Sequence, residues 1–302
     1  MRDDRPTFDL QCHSLYSDGA LKPREVVARA AAAGVELLAL SDHDTVDGVE
    51  AAMEAAGEHG IHVVSAVEIS AIDIAGRDLH ILGYGIDHRD GGIAARLREF
   101  RADRDRRGWA MVTALRELGF HLDDDGLRRR TAHDKSLGRP HIAEAVVSHP
   151  RNAARLAAEG RTDMSAFLKG YLIDGRLAFR PRERPSVAGA IETIHDAGGS
   201  AIWAHPFWDI TSAPEVLGTI DRFVELGLDG VECFYTTHTR IQTNLLADRC
   251  AELGLLTTGS SDFHGPAHRA FSRFRAFSTF GRSPTLGPIV AAAHPTLAAA
   301  RR

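Results

Sequence analysis

The feature that most constrains this chain is a rhythm of short apolar runs alternating with helical segments at both ends of its 302 residues. Phe8–Cys12, Glu36–Leu40, Ile61–Val67 and Leu79–Ile86 read as strands in the first part, and Ser200–Ala204, Asp229–Phe234 and Leu255–Gly259 in the last. Strand runs that alternate with helices specify a parallel sheet covered by those helices. The helices carry their own punctuation. Pro23 opens one that Gly34 closes, a second from about Val46 to His59 stops at Gly60, and a third from Thr239 to Leu253 stops at Gly254. Between about residues 89 and 185 the rhythm breaks: Arg96–Leu118, His141–Val147 and Asp163–Ile173 look helical, with no strand pattern. The expected architecture is α/β, a seven-stranded (β/α)7 barrel one unit short of eight. Residues 1–88 and 186–302 build it, and residues 89–185 form a helical insertion. The Ala-rich end, 291–302, reads as a helix or a frayed tail.

In β/α barrels the chemistry sits at the C-terminal ends of the strands. Here those ends collect imidazoles and carboxylates. The first strand leads into His13 with Asp18 in the following loop, the second into Asp42-His43-Asp44, and the third closes on Glu68. The fourth carries His80, the fifth ends in His205-Pro206, and the seventh leads into Asp262-Phe263-His264. Nitrogen and oxygen donors without sulfur are what Zn²⁺, Mn²⁺ or Fe²⁺ sites use. Period-2 geometry places Gln11 and His13 on one side of their strand and Cys12 on the other, in the strand–helix core. Of the His-Pro pairs, only His205-Pro206 follows an apolar run; His149-Pro150 and His294-Pro295 read as loop punctuation. A carboxylate at Glu68, closing an apolar strand, is costly unless paired or metal-bound.

These motifs together resemble the PHP (polymerase and histidinol phosphatase) superfamily of metal-dependent phosphoesterases. Asp9-Leu10-Gln11-Cys12-His13-Ser14 with Ser17-Asp18-Gly19 is similar to the family's first signature, and Leu40-Ser41-Asp42-His43-Asp44 to its second. Val67-Glu68-Ile69-Ser70, His80-Ile81-Leu82-Gly83, Ala204-His205-Pro206 and Gly259-Ser260-Ser261-Asp262-Phe263-His264 follow in the family's order. The insertion between His80 and His205 resembles that of the stand-alone members acting on nucleotides. The resemblance implies a distorted barrel holding two to three divalent transition metals (Mn, Fe or Zn). It assigns His13, Glu68 and Asp262 to one metal, Glu68, His80 and His205 to another, and Asp18, His43 and His264 to a third. Water activated on the metals would attack phosphorus. Gln11 stands where the family has a second His, and an amide oxygen is a weaker donor than imidazole to these metals.

Phosphate must also be held by the protein. Arg139 and His141, in Gly138-Arg139-Pro140-His141, open a helix of the insertion, where a guanidinium fork and helix N–H groups suit a phosphate. His238, after the sixth strand, is positioned to assist or to protonate a leaving group. The cluster Arg128-Arg129-Arg130 with Lys135 reads either as a solvated helix end or as an anion-attracting rim.

Other function classes find little support. Net charge is −5, so duplex nucleic acid is not an expected partner. No apolar run is long enough for a membrane span, and the N-terminal residues lack a signal peptide's apolar stretch, so a cytoplasmic address is expected. Three scattered cysteines form neither a disulfide framework nor a cysteine metal site. The expected function is hydrolysis of a phosphate monoester on a small nucleotide, a nucleoside monophosphate or 3′,5′-bisphosphate. The alternatives are 5′-to-3′ trimming of short RNA and, because of Gln11, metal binding without turnover. The sequence does not specify an oligomeric state.

Overall fold

A computed structural model describes residues 6–131, 137–173, 175–181 and 185–293. Seven strands form one sheet in sequence order: β1 (Phe8–Asp9), β2 (Leu37–Leu40), β3 (His62–Ile72), β4 (Asp78–Tyr84), β5 (Ser200–Trp203), β6 (Gly230–Tyr235) and β7 (Leu256–Ser260). The helices are α1 (Pro23–Ala32), α2 (Val49–His59), α3 (Gly91–Glu117), α4 (Asp124–Thr131), α5 (Arg139–Val147) and α6 (Ala153–Ala158). They continue with α7 (Met164–Phe167), α8 (Val187–Asp196), α9 (Pro206–Asp209), α10 (Ala213–Glu225), α11 (Arg240–Leu253) and α12 (Pro288–Ala293).

The edges of the sheet meet. Leu10 N–H donates to the Gly259 carbonyl at 3.1 Å and His13 N–H to that of Phe263 at 2.8 Å, while Cys12 pairs with Phe263 in parallel. The result is a distorted (β/α)7 barrel. One expectation fails: the sheet is mixed, because β4 runs antiparallel to both β3 and β5. Only a tight turn, Asp73–Arg77, joins β3 to β4, and a parallel crossover needs a dozen residues or more. Asp73 fastens that turn by accepting from the N–H groups of Ala75 and Arg77. Strand β3 also continues past Glu68 to Ile72, since Ile69 and Ala71 stay buried and paired with β4.

The chain divides into two compact units, Met1–Leu97 with Pro185–Arg302, and Arg98–Arg184. In the first, α1 buries Pro23, Val26, Val27 and Ala30, one stripe at helical spacing. That stripe joins Leu38, Leu40 and Val63 of the sheet, Ala52 and Ala55 of α2, and Cys12 in one cluster. Each large side chain so buried contributes about 1.5–3 kcal/mol. Helix α11 is framed as its sequence suggests. Thr239 and Gln242 cap each other's N–H groups, and Gly254 ends the helix in a left-handed conformation (φ 68°) that side chains resist.

The second unit has its own core, in which Phe120, Phe167 and Tyr171 meet ring to ring at 4.9–5.4 Å beside Leu115, Ile142 and Val146. No strand occurs among its described residues. The expected helix over 163–173 is α7, capped by Asp163, followed by a wider π turn over Leu168–Leu172. Helix α12 covers the start of the Ala-rich end; His294-Pro295 and the rest lie outside the described residues. Among the described residues no helix is long and apolar enough to cross a membrane.

Candidate metal centre

Glu68 is the hub of the site. It is fully buried on β3, and four imidazoles surround its carboxylate. Oε1 lies 2.7 Å from His80 Nδ1 and 3.2 Å from His205 Nε2, and Oε2 lies 3.1 Å from His13 Nε2 and 3.5 Å from His43 Nδ1. The backbone explains the convergence. Chain pairing with β3 continues beyond β2, with Glu68 N–H donating to the Asp42 carbonyl and Asp44 N–H to that of Glu68, which puts His43 beside Glu68. From β4, His80 stands in register with Ser70, two residues from Glu68 and on its face of β3.

A second carboxylate, Asp262, meets His13 Nε2 at 3.0 Å, and its Oδ1 lies 3.6 Å from His264 Nδ1. A third, Asp18, faces His13 at 3.6 Å, His43 at 3.7 Å and His264 at 3.4 Å. Three sets of potential ligand atoms lie within 4.8 Å of one another: His13, Glu68 and Asp262; His43, Glu68 and His80; and His13, Asp18, His43 and His264. Seven of the eight residues expected at the centre fall within these sets. In the second set His43 stands where His205 was expected, although His205 approaches Glu68 Oε1, the oxygen that His80 also meets, and lies 3.4 Å from His80 Nδ1.

The donor set fits divalent transition metals. His43 Nδ1 and His205 Nδ1 are buried without a hydrogen-bond partner, an expensive condition for polar atoms that a cation would relieve. The electrostatics agree. Burial pushes the Glu68 carboxyl up, but the imidazoles around it outweigh this, His43 and His80 by charge, His13 and His205 by hydrogen bonds, and hold it well below the carboxylate range. Burial pulls His43 down to about 4, so near neutral pH it faces Glu68 as a neutral ring. The positive charge then comes chiefly from His13 and His205. Burial lowers both, yet hydrogen bonds that His13 donates to Asp262 and Glu68 raise it well above the imidazole range, and Glu68 lifts His205 to about 9. In the metal-free chain, protons do part of the work of the cations.

A ring of supporting residues escaped the sequence reading of the site. Asp42 accepts from Ser14 N–H (2.7 Å), Ser14 Oγ (2.6 Å) and Ser17 Oγ (2.6 Å), fastening the loop that carries Asp18. That loop folds so tightly that a Cβ on Gly19 would fall 2.2 Å from the His13 carbonyl oxygen, so only glycine fits. Asp9 likewise accepts from Ser261 N–H and Oγ and from Arg275 N–H, setting the turn into Asp262, whose Oδ2 also accepts from Tyr235. Glu232 accepts from His205 N–H at 2.9 Å, and Asp209 Oδ2 lies 3.8 Å from His205 Nδ1. Asp44, His205 and Asp262 all adopt positive φ (53°, 31° and 53°), a conformation that non-glycine residues hold only when their surroundings enforce it. The signal was present in the motif acids, but which acid binds metal and which binds backbone depends on three-dimensional packing.

Gln11 is fully buried one side-chain layer deeper than His13, as its spacing requires. Its Oε1 accepts from Ser260 Oγ at 3.2 Å, and its Nε2 has no partner. Turned over, the amide would donate to Ser260 and leave its oxygen in the partnerless position. Replacing Gln11 with His is expected to increase metal retained per chain, since imidazole is the better donor to these metals. Metal analysis of the two proteins after identical purification and dialysis measures this. Equal content would make Gln11 a support for its neighbours rather than a weak ligand.

The three residues expected around the substrate have different settings. His238 is buried in the barrel unit, donates from Nδ1 to the Cys233 carbonyl at 3.1 Å, and leaves Nε2 without a partner. Burial lowers its pKa to about 4. It is therefore neutral near pH 7, with a buried Nε2 that can accept a hydrogen bond. Arg139 and His141 belong to the second unit, in the first turn of α5, where His141 Nδ1 accepts from Gly138 N–H at 3.1 Å. Of the basic cluster, Arg128 and Arg129 are exposed on α4, with Arg128 over the Trp109 ring at 5.0 Å; the Arg130 side chain and Lys135 lie outside the described residues.

Comparison with known proteins places this geometry. The PHP domain matches residues 9–155. The chain is 38% identical over 259 residues to a 5′-3′ exoribonuclease of Haemophilus influenzae, covering 86% of this chain and 90% of the relative. It is 32% identical to a 3′,5′-nucleoside bisphosphate phosphatase of Chromobacterium violaceum, covering 86% and 87%. It is also 32% identical over 292 residues to a phosphoribosyl 1,2-cyclic phosphate 1,2-diphosphodiesterase of Eggerthella lenta, covering 92% and 97%.

Proposed function

The chain belongs to the PHP family and is a metal-dependent phosphoesterase, and from that premise we propose that it hydrolyses phosphate monoesters of small nucleotides, nucleoside monophosphates or 3′,5′-bisphosphates. The observation that carries the reading is the shared hub: His13, His43 and Glu68 each belong to two of the three ligand sets, so ions held there would be neighbours. Adjacent divalent ions supply an activated water and neutralise charge building on phosphoryl oxygens. His13, Asp18, His43, Glu68, His80, His205, Asp262 and His264 would hold two to three ions of Mn, Fe or Zn. Asp42, Asp9 and Glu232 keep the loops bearing Asp18, Asp262 and His205 in place before substrate arrives. His238 would accept a hydrogen bond through Nε2 and so orient a water or a substrate hydroxyl.

The names of the relatives support a phosphate on a ribose, and one of them names a nucleoside bisphosphate. The exoribonuclease relative favours a second reading, stepwise 5′-to-3′ removal of nucleotides from short RNA. A panel of nucleoside monophosphates, bisphosphates and RNA tetramers, assayed with Mn²⁺, Fe²⁺ and Zn²⁺ in turn, separates the two. Faster turnover of the tetramer than of any mononucleotide would overturn the first reading. No turnover of any ester with any metal would leave the chain a metal-binding relative that has lost catalysis.

By its residue type and its place in the first turn of α5, Arg139 is suited to bind phosphate. Arg139→Ala is expected to lower kcat/KM roughly ten- to a hundredfold, the effect of losing a charged hydrogen bond of about 1.5–3 kcal/mol. Bound metal should stay the same, because guanidinium is not a ligand. Wild-type kinetics in this variant would remove Arg139 from the site.

A further inference from the structure

We propose that Trp208 and His268 form a stacking platform for the base of the substrate, an inference that rests on the reading that the substrate is a nucleotide. Both follow strand ends of the barrel unit, Trp208 on α9 after β5 and His268 in the loop after β7. A single exposed tryptophan is ordinary on a protein surface. Trp208, 53% exposed, is not isolated: its ring lies 5.5 Å from that of Phe271. Phe271 stacks on His268 at 5.3 Å and 14°, and His268 stacks on His264 at 5.2 Å and 30°. His264 faces Asp18 and Asp262 within the metal centre. A continuous series of rings therefore runs from the metal centre to open indole.

The plane of His268 is fixed. Its Nδ1 accepts from the N–H groups of Phe271 (3.0 Å) and Ala270 (3.4 Å), so the exposed imidazole is held nearly parallel to the buried Phe271 ring. Rigid aromatic rings next to a phosphoester centre match a ligand that carries a flat π-system one sugar away from its phosphate. Every nucleobase has such a face, so stacking would grip the base with little preference among bases. A sugar phosphate without a base would leave the platform unused.

The test compares adenosine 5′-monophosphate with ribose 5-phosphate on metal-loaded protein. Trp208→Ala and His268→Ala are each expected to reduce the ratio of kcat/KM for the nucleotide to that for the sugar phosphate roughly five- to a hundredfold, mainly through KM. Trp208→Phe, which keeps a ring, should recover most of it. Equal losses on both substrates, or an unchanged ratio, would overturn the platform. If wild type hydrolyses neither compound, the monophosphate part of the nucleotide reading fails and the platform is judged by binding. The chain has three tryptophans, so the emission difference between wild type and Trp208→Phe isolates Trp208. Quenching of that difference by adenosine 5′-monophosphate but not by ribose 5-phosphate supports the platform, and its absence overturns it.

Discussion

Stripping divalent metal from the protein is expected to abolish phosphate-ester hydrolysis, and adding back Mn²⁺, Fe²⁺ or Zn²⁺ to restore it. Near pH 7 no described residue of the centre offers a nucleophile of its own: burial raises the Cys12 and Cys233 thiols well above their usual range, and the carboxylates are engaged by imidazoles. Metals lower the pKa of water to about 7 and so supply what the side chains lack. The loading step carries its own signature. In the metal-free chain His205 titrates near 9 and His13 well above the ordinary imidazole range, so both are protonated at neutral pH. A ligand nitrogen must lose its proton to bind, so metal uptake should release protons, and retention should weaken steadily as pH falls below about 9. Adding Zn²⁺ to the stripped protein in weak buffer with a pH indicator measures the release. Full hydrolysis by protein shown to be metal-free would refute the mechanism.

Much of this centre was legible because its ligands are local to strand ends, and strand ends are readable. His13, His43, His205 and Asp262 each follow an apolar run or its immediate turn, so period and punctuation alone put them on the barrel's functional face. What sequence could not give was partner choice. Asp42 and His43 are adjacent, yet one binds the backbone of the first loop and the other faces Glu68 and Asp18. Only the parallel pairing of residues 42–44 with β3 decides which side chain points where. The reversed direction of β4 was hidden for a related reason: the apolar run 79–86 reads the same in either orientation, and the brevity of the turn before it was the one available clue. The rim rings were missed because Trp208, His268 and Phe271 come from separate loops and share no motif.

The arrangement around Glu68 leads to the most damaging single substitution. Glu68→Gln keeps the size of the side chain and removes its charge, so any loss reports on the carboxylate itself. Glu68 belongs to two ligand sets at once, and His80 and His205 converge on one of its oxygens while His13 and His43 face the other. An amide can present one oxygen to this ring of imidazoles, and its NH₂ would confront nitrogens that are themselves donors or ligands. Groups that merely orient metal ligands typically cost ten- to a hundredfold in affinity or activity when lost. A carboxylate shared between sets should therefore cost more than about a hundredfold in hydrolysis, with metal content falling by at least one ion per chain. The neighbours supply a scale for comparison. Asp209, 3.8 Å from His205 Nδ1, acts on that imidazole by charge and without a hydrogen bond, so Asp209→Asn should fall within the smaller range. Metal analysis and steady-state kinetics on both variants give the ordering. Should Glu68→Gln retain its metal and lose only turnover, the carboxylate would be acting on the substrate or its water, and the link between ligand sets would have to be sought at His13 or His43.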